Sequence, residues 1–233
     1  MNDLRAVFWD VDGTLADTEL NGHRLAFNHA FQDFELDWVW SKKIYIDLLK
    51  ISGGVNRIIH YRNHINKKIT DETCNKLQIR KRFHYSKLVK SGQIVPREGV
   101  LRLIDELARY DVKQIIVTTS GRESLEPFLT TSLKNHLKFF HEIITYEDVR
   151  NHKPYPDAYN LALKFSAQSP SNCLAIEDSA IGIEATKAAK LACLMTLPTW
   201  ISCYEDVNQN ANACVDSLGS LSNPTNLIYG KPL

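Results

Sequence analysis

Apolar residues follow two rhythms along this chain. Near the start, Ala6-Val7-Phe8-Trp9 is a short unbroken apolar run, as expected of a strand buried on both faces. From Leu20 to about residue 92 the spacing turns helical. Leu20, Leu25, Phe27 and Phe31 share one stripe, and Ile44, Leu48, Leu49 and Ile51 another. Gly53-Gly54 interrupts, and Val55, Ile58 and Ile59 open the next helix. Asp71-Glu72-Thr73 starts a longer one through Leu77 towards Val89, with a basic face at Arg80, Lys81 and Arg82, and Ser91-Gly92 closes the block. Beyond it helices and strands alternate. Pro96 and Gly99 flank a helix start, with Val100, Leu101, Leu103, Ile104 and Leu107 as its stripe. Ile115-Ile116-Val117 reads as a strand, Ser124 to Leu133 as a helix and Glu142 to Thr145 as a strand. Pro156 to Phe165 is a helix, Cys173 to Ile176 a strand, Ile181 to Ala189 a helix and Ala192 to Leu197 a strand. Residues 199–233 are less regular. The pattern predicts an α/β protein: a doubly wound parallel-sheet core from residues 1–15 and 93–233, with a small all-helical domain, 16–92, inserted after the first strand.

Composition narrows the function classes. The 233 residues carry 28 Lys and Arg against 27 Asp and Glu, a net charge of +1. Nucleic acid or an anionic membrane as partner therefore has no global electrostatic support. No apolar run approaches the roughly 20 residues of a membrane helix, and no signal peptide is visible, so a cytoplasmic protein is expected; a monomer is expected as well. The five cysteines, Cys74, Cys173, Cys193, Cys203 and Cys214, are odd in number and lack CxxC spacing, which argues against disulfides or a zinc site.

The candidate chemistry sits where predicted strands end. The first run leads into Asp10-Val-Asp-Gly-Thr-Leu15. Strand alternation puts Asp10 and Asp12 on one side, and two carboxylates so close call for a cation such as Mg²⁺, which favours oxygen ligands. Ile115-Ile-Val117 ends in Thr118-Thr-Ser-Gly121. A hydroxyl there can donate to a phosphoryl oxygen, and the following helix N-terminus offers N–H groups. Thr118 leads, with Thr119 and Ser120 as lesser candidates. His152-Lys-Pro-Tyr-Pro-Asp157 precedes a helix; its prolines stiffen the approach to Lys153, and Asp157 reads as a helix cap or a partner that orients Lys153. Finally, strand Ala175-Ile176 ends in Glu177-Asp178-Ser-Ala-Ile-Gly182, with Gly182 as a packing position.

In this order the four strings resemble the motifs of the haloacid-dehalogenase-like hydrolases, over residues 7 to about 197. The resemblance implies that Asp10 attacks phosphorus and becomes a phospho-aspartate, and that Asp12 serves as general acid and then base. It also implies that Thr118 and Lys153 neutralise the phosphoryl oxygens. Mg²⁺ is then held by Asp10, by the backbone carbonyl of Asp12 and by Asp178, with Glu177 assisting directly or through water. The helical insert resembles the C1-type cap that selects the substrate.

Glu19-Leu-Asn-Gly-His-Arg-Leu-Ala-Phe-Asn28, Trp38, Tyr45-x-x-Leu-Leu49 and Gly53-Gly54-Val-Asn-Arg57 resemble the CbbY branch. Its members hydrolyse xylulose 1,5-bisphosphate. Where that branch commonly has Gly-Gly-Lys, this chain has Val55, which leaves Arg57 to meet a distal phosphate. His23 and Glu19 are further candidate substrate contacts, while Lys42, Lys43, His60 and Arg62 read as solvated surface. The expected ligand is a small-molecule sugar phosphate. A mutase like β-phosphoglucomutase is the enzymatic alternative. A binding module on an inactive version of the fold would be expected to break a motif, and none is broken.

Overall fold

Among the described residues, six parallel strands form the sheet around which the protein is built, the inner ones fed by apolar stretches of sequence. The computed structural model describes residues 4–51, 53–199 and 211–221. The strands are β1 (Ala6–Trp9), β2 (Lys113–Val117), β3 (Phe140–Ile144), β4 (Cys173–Glu177), β5 (Ala192–Thr196) and β6 (Ala213–Val215), in the order β3-β2-β1-β4-β5-β6. The chain moves outward from β1 through β2 to β3, then returns to lay β4 on the other side of β1. That reversal is the topological switch point of a doubly wound sheet, where ligands bind beyond the carboxyl ends of strands. Register is tight here: Trp9 pairs with Ile116 on one side and Ile176 on the other, so Asp10, Thr118 and Glu177 emerge together.

The central strand is apolar on both faces because both are covered. Ala6, Val7, Phe8 and Trp9 are all fully buried. Phe8, Ile115, Val117 and Ala175 pack with Tyr159 and Ala162 of α7 (Asp157–Ser166) and with Ala185 of α8 (Ala180–Ala188). Trp9 donates its indole N–H to Gln114 Oε1 at 3.1 Å, and Gln114 Nε2 donates to the Ile104 carbonyl at 3.0 Å, so a buried amide is satisfied at both ends. Ile104 belongs to α5 (Val100–Arg109), whose stripe Val100, Leu103, Ile104 and Leu107 is buried as the sequence spacing predicts. β6 falls where the sequence reads as irregular: its three residues, Ala-Cys-Val, are too few to establish a rhythm. The rest of 199–233 lies largely outside the described residues.

Contacts divide the chain into Met1–Asp17 with Val95–Leu233, which holds the sheet, and Thr18–Ile94, which is helical. The helical unit begins with a π-helical turn, Glu19–His23, followed by α1 (Arg24–Asp33), α2 (Lys42–Leu48), α3 (Gly54–His64) and α4 (Asp71–Lys90). Its centre is aromatic: Phe27, Phe31, Trp38, Trp40, Tyr45 and Tyr61 meet ring to ring. Asn28 pins the α1–α2 connection by exchanging hydrogen bonds with the backbone of Trp40, at 2.8 and 3.1 Å. The indole N–H groups of Trp38 and Trp40 are buried and meet no acceptor among the described residues. The remaining helix of the core, α6, spans Arg122–Thr130.

Three readings of the helical unit change. Ile51 lies outside α2, which ends at Leu48. Lys81 belongs to the buried stripe of α4, not to a basic face, because Cys74, Leu77, Lys81, Tyr85 and Leu88 follow the helical period on one side. Arg62 is largely shielded, donating to the Ile69 carbonyl at 2.9 Å and to Asp71 at 2.6 Å. Among the described residues no helix is long and apolar enough to cross a membrane.

Candidate active site

Asp10 follows the last residue of β1 and is held in the sheet by its N–H, which donates to the Ile176 carbonyl at 3.0 Å. After Asp12 the chain turns tightly. Gly13 has φ +91°, and a Cβ there would overlap the Asp178 carboxylate, so only glycine lets the two strand ends approach. The same reason explains Gly182, where a Cβ would overlap the Glu177 carboxylate. This gives the packing role read from sequence a definite partner.

Side-chain oxygens of Asp10, Glu177 and Asp178, all buried, lie within 4.8 Å of one another. Lys153 is set among them. Its Nζ donates to Asp10 Oδ1 at 2.7 Å, to Glu177 Oε1 at 2.6 Å and to the Val117 carbonyl at 2.9 Å. All three ammonium hydrogens are thereby used. The peptide bond between Lys153 and Pro154 is cis. Asp157 opens α7 and accepts from Asn151 Nδ2 at 2.9 Å; the cap position itself is Pro156.

Electrostatics follow from this geometry. Burial pushes the Asp10 carboxyl well above the usual carboxylate range, Lys153 opposes the rise and Glu177 adds to it. For Lys153, burial works against the charge, but Asp10 and Glu177 outweigh it and hold the ammonium above its ordinary value. Lys153 is therefore charged, and it sits among three buried carboxyl groups whose mutual crowding disfavours full ionisation unless more positive charge is present. A divalent cation with oxygen ligands fits such a group. Tyr159 of α7 donates its hydroxyl to Glu177 Oε1 at 2.6 Å, and burial, reinforced by Glu177, keeps that phenol protonated. The other Glu177 oxygen accepts from Ser179 Oγ at 3.2 Å and from the Asp178 N–H at 3.3 Å.

Thr118, almost fully buried at the end of β2, accepts from the Ser120 N–H at 3.0 Å, which leaves its hydroxyl hydrogen available. Thr119 is exposed. Ser120 Oγ donates to Asp12 Oδ2 at 2.5 Å. At the N-terminus of α6, expected to offer N–H groups, the first of them is taken. The Arg122 N–H already donates to both Glu147 oxygens, at 3.1 and 3.2 Å. The fold fills that donor with its own carboxylate.

The helical unit holds the remaining candidates. Glu19 Oε2 accepts from the Tyr45 hydroxyl at 2.6 Å. Arg57 donates through Nε to the Ile51 carbonyl at 2.8 Å, and its NH1 stands 3.5 Å from the Tyr45 oxygen. His23 is 7% exposed; its Nδ1 lies 2.9 Å from Lys81 Nζ and its ring lies over Tyr85. Sequence reasoning missed Tyr159 and Arg97. A tyrosine within the apolar stripe of a helix is itself a signal, since its buried hydroxyl needs a partner. Arg97 donates to the carbonyls of Gly13 and Leu197, bracing the turn after Asp12 against the end of β5. No local pattern marks it, because both partners are backbone atoms distant in sequence.

Known proteins place this arrangement. The sequence pattern of the haloacid dehalogenase-like hydrolases matches residues 7–196. CbbY of Rhodobacter capsulatus is 35% identical over 195 residues, covering 83% of this chain and 86% of that protein. A crystal structure of mutant CbbY from Rhodobacter sphaeroides in complex with xylulose 1,5-bisphosphate superimposes with a TM-score of 0.83 at 30% identity. It covers 94% of this chain and 96% of that one. β-Phosphoglucomutase of Bacillus subtilis is 25% identical over 189 residues, 80% of each chain. The chain therefore belongs to the haloacid dehalogenase-like hydrolases, as a CbbY-like member of that family.

Proposed function

We propose that this hydrolase is a Mg²⁺-dependent sugar-phosphate phosphatase that works through a phospho-aspartate, with a ketopentose bisphosphate such as xylulose 1,5-bisphosphate as substrate. The observation that carries the reading is the Lys153 ammonium fixed between Asp10 and Glu177 inside a buried carboxylate cluster at the sheet's switch point. A carboxylate facing an open strand end beside a fixed cation is suited to attack a phosphate ester.

Asp10, Asp178 and the backbone carbonyl of Asp12 would hold Mg²⁺, with Glu177 beside them. When bound, the ion supplies positive charge that draws the phosphate in and stabilises its developing charge. The Asp10 carboxylate forms a bond to phosphorus as the bond to the sugar oxygen breaks, and Asp12 gives that oxygen its proton. Asp12 then takes a proton from water as the water oxygen bonds to phosphorus, and the Asp10 carboxylate leaves. Lys153 and the free hydroxyl hydrogen of Thr118 neutralise the oxygens of the transferring group.

The distal phosphate of a bisphosphate needs positive charge of its own. Arg57 supplies it, while Glu19 and His23 contact the sugar. The protein acts as a monomer on a small molecule.

Phosphate release from ketose and aldose mono- and bisphosphates, with Mg²⁺ and with EDTA, tests the reading. Xylulose 1,5-bisphosphate is expected to turn over fastest, and EDTA to silence the enzyme. Activity that survives thorough chelation sinks the metal-assisted scheme. Isomerisation primed by a sugar bisphosphate, without phosphate release, makes the protein a mutase.

A further inference from the structure

The role of Ser120 differs from the one its place beside Thr118 suggests. As a phosphate ligand it would point its hydroxyl at the substrate, with the α6 N-terminus helping. The hydroxyl instead lies 2.5 Å from Asp12 Oδ2, and the first helical N–H of α6 is occupied by the Glu147 carboxylate. A phosphate brought there would meet a negative side chain.

Ser120 is itself held from two sides. Its N–H donates to Thr118 Oγ1 at 3.0 Å, and its carbonyl accepts from the Tyr146 N–H at 3.2 Å. The loops after β2 and β3 therefore fix the backbone of Ser120, and its side chain carries that rigidity to Asp12. The separation is in the range of a charge-assisted O–H···O⁻ bond.

We propose that Ser120 is the positioning residue of Asp12, holding the carboxylate that exchanges protons with the leaving group and with water. The proposal rests on the phosphatase reading above. With Oδ2 accepting from Ser120, the proton to be delivered is carried on the other oxygen of Asp12, and the serine proton stays on serine throughout. Positioning of this kind matters only when the leaving group needs a proton. A sugar alkoxide does, and nitrophenolate does not.

The test measures kcat/KM with Mg²⁺ on xylulose 1,5-bisphosphate, or on the panel sugar phosphate turned over fastest, and on p-nitrophenyl phosphate. This parameter reports the steps up to departure of the leaving group, so the later attack of water does not blur it. Ser120→Ala is expected to lose about 10- to 30-fold on the sugar ester but less than about threefold on the aryl ester. Ser120→Thr, which keeps a hydroxyl, should regain most of the loss. Asp12→Asn should show the same split, enlarged. Equal losses on both esters for Ser120→Ala, beside a split for Asp12→Asn, overturn the proposal alone, because a phosphate ligand or a merely structural residue serves both substrates equally. No loss on either ester also overturns it. A wild type that hydrolyses neither ester, or an Asp12→Asn variant without a split, overturns the phosphatase reading and this proposal with it.

Discussion

Among the described residues two lysines are buried, and the two regions that bury them do so differently. In the sheet-bearing unit, Lys153 is held by two carboxylates and a carbonyl, all within 2.9 Å. In the helical unit, Lys81 is 6% exposed, with its Nζ 2.9 Å from a His23 ring nitrogen and within 5.3 Å of the ring centroids of Phe27 and Tyr85. The first arrangement is a charge lattice whose members depend on one another. In the second, a cation also meets a histidine nitrogen and the faces of two aromatic rings. Burial alone thus says little about what a charge is for; its partners decide.

That contrast can be broken experimentally, and the largest effect is expected at the lattice's reactive member. Asp10→Asn should lower kcat by at least about 10³-fold, since an amide cannot attack phosphorus, while the circular dichroism spectrum stays native. Turnover kept within about tenfold of wild type would take the nucleophile's role from Asp10.

The lysines come next. Lys153→Met should cost about 3–5 kcal/mol in a metal-free urea titration, because the carboxylates are left facing one another. Lys81→Met should cost less than Lys153→Met, as an unbranched chain of similar length keeps the packing against the Phe27 and Tyr85 rings. Equal losses would erase the distinction between the two regions.

A smaller and selective effect is expected at Arg57. Arg57→Ala should reduce kcat/KM on the bisphosphate by about 30- to 150-fold, or about 2–3 kcal/mol, and leave a small monophosphate nearly unchanged. Matching losses on both substrates would mean that Arg57, through its bond to the Ile51 carbonyl, only braces the helical unit.

The smallest effect concerns Asp148, beside the catalytic strand ends. Burial tends to raise its carboxyl, but the Thr145 hydroxyl and N–H outweigh that, helped by Arg122, and hold it below the ordinary range. A folded value below the unfolded one gives stability that is present above about pH 4 and is lost as pH falls through the folded value. Melting curves of wild type and Asp148→Asn should therefore differ near neutrality and converge in acid. A gap that is constant with pH would assign the effect to hydrogen-bond geometry rather than charge.

The two regions also differ in how much of them the sequence discloses. Chemistry in the sheet unit is written in short contiguous strings, because each strand end delivers two or three adjacent residues to one place. Asp10, Thr118, Lys153, Glu177 and Asp178 were therefore legible from spacing and motif order. What escaped is what acts across the fold: Tyr159 reaching Glu177 from α7, Arg97 reaching backbone carbonyls, and Glu147 filling the end of α6. In the helical unit periodicity located the helices, yet Lys81 read as surface because a basic side chain in a basic run looks solvated. The phase through Leu77, Tyr85 and Leu88 was the better guide.

The tryptophans have a practical consequence. Trp9, adjacent to Asp10, donates its indole N–H to Gln114, whereas Trp38 and Trp40 of the helical unit are buried and meet no acceptor for theirs among the described residues. A hydrogen-bonded indole emits at longer wavelength than one in an apolar cage, so the two units carry distinguishable intrinsic fluorophores. Trp200 lies outside the described residues, and replacing it with phenylalanine would leave one reporter in the sheet unit and a pair in the helical unit. Emission resolved by wavelength during unfolding would then follow each unit separately, without an added dye.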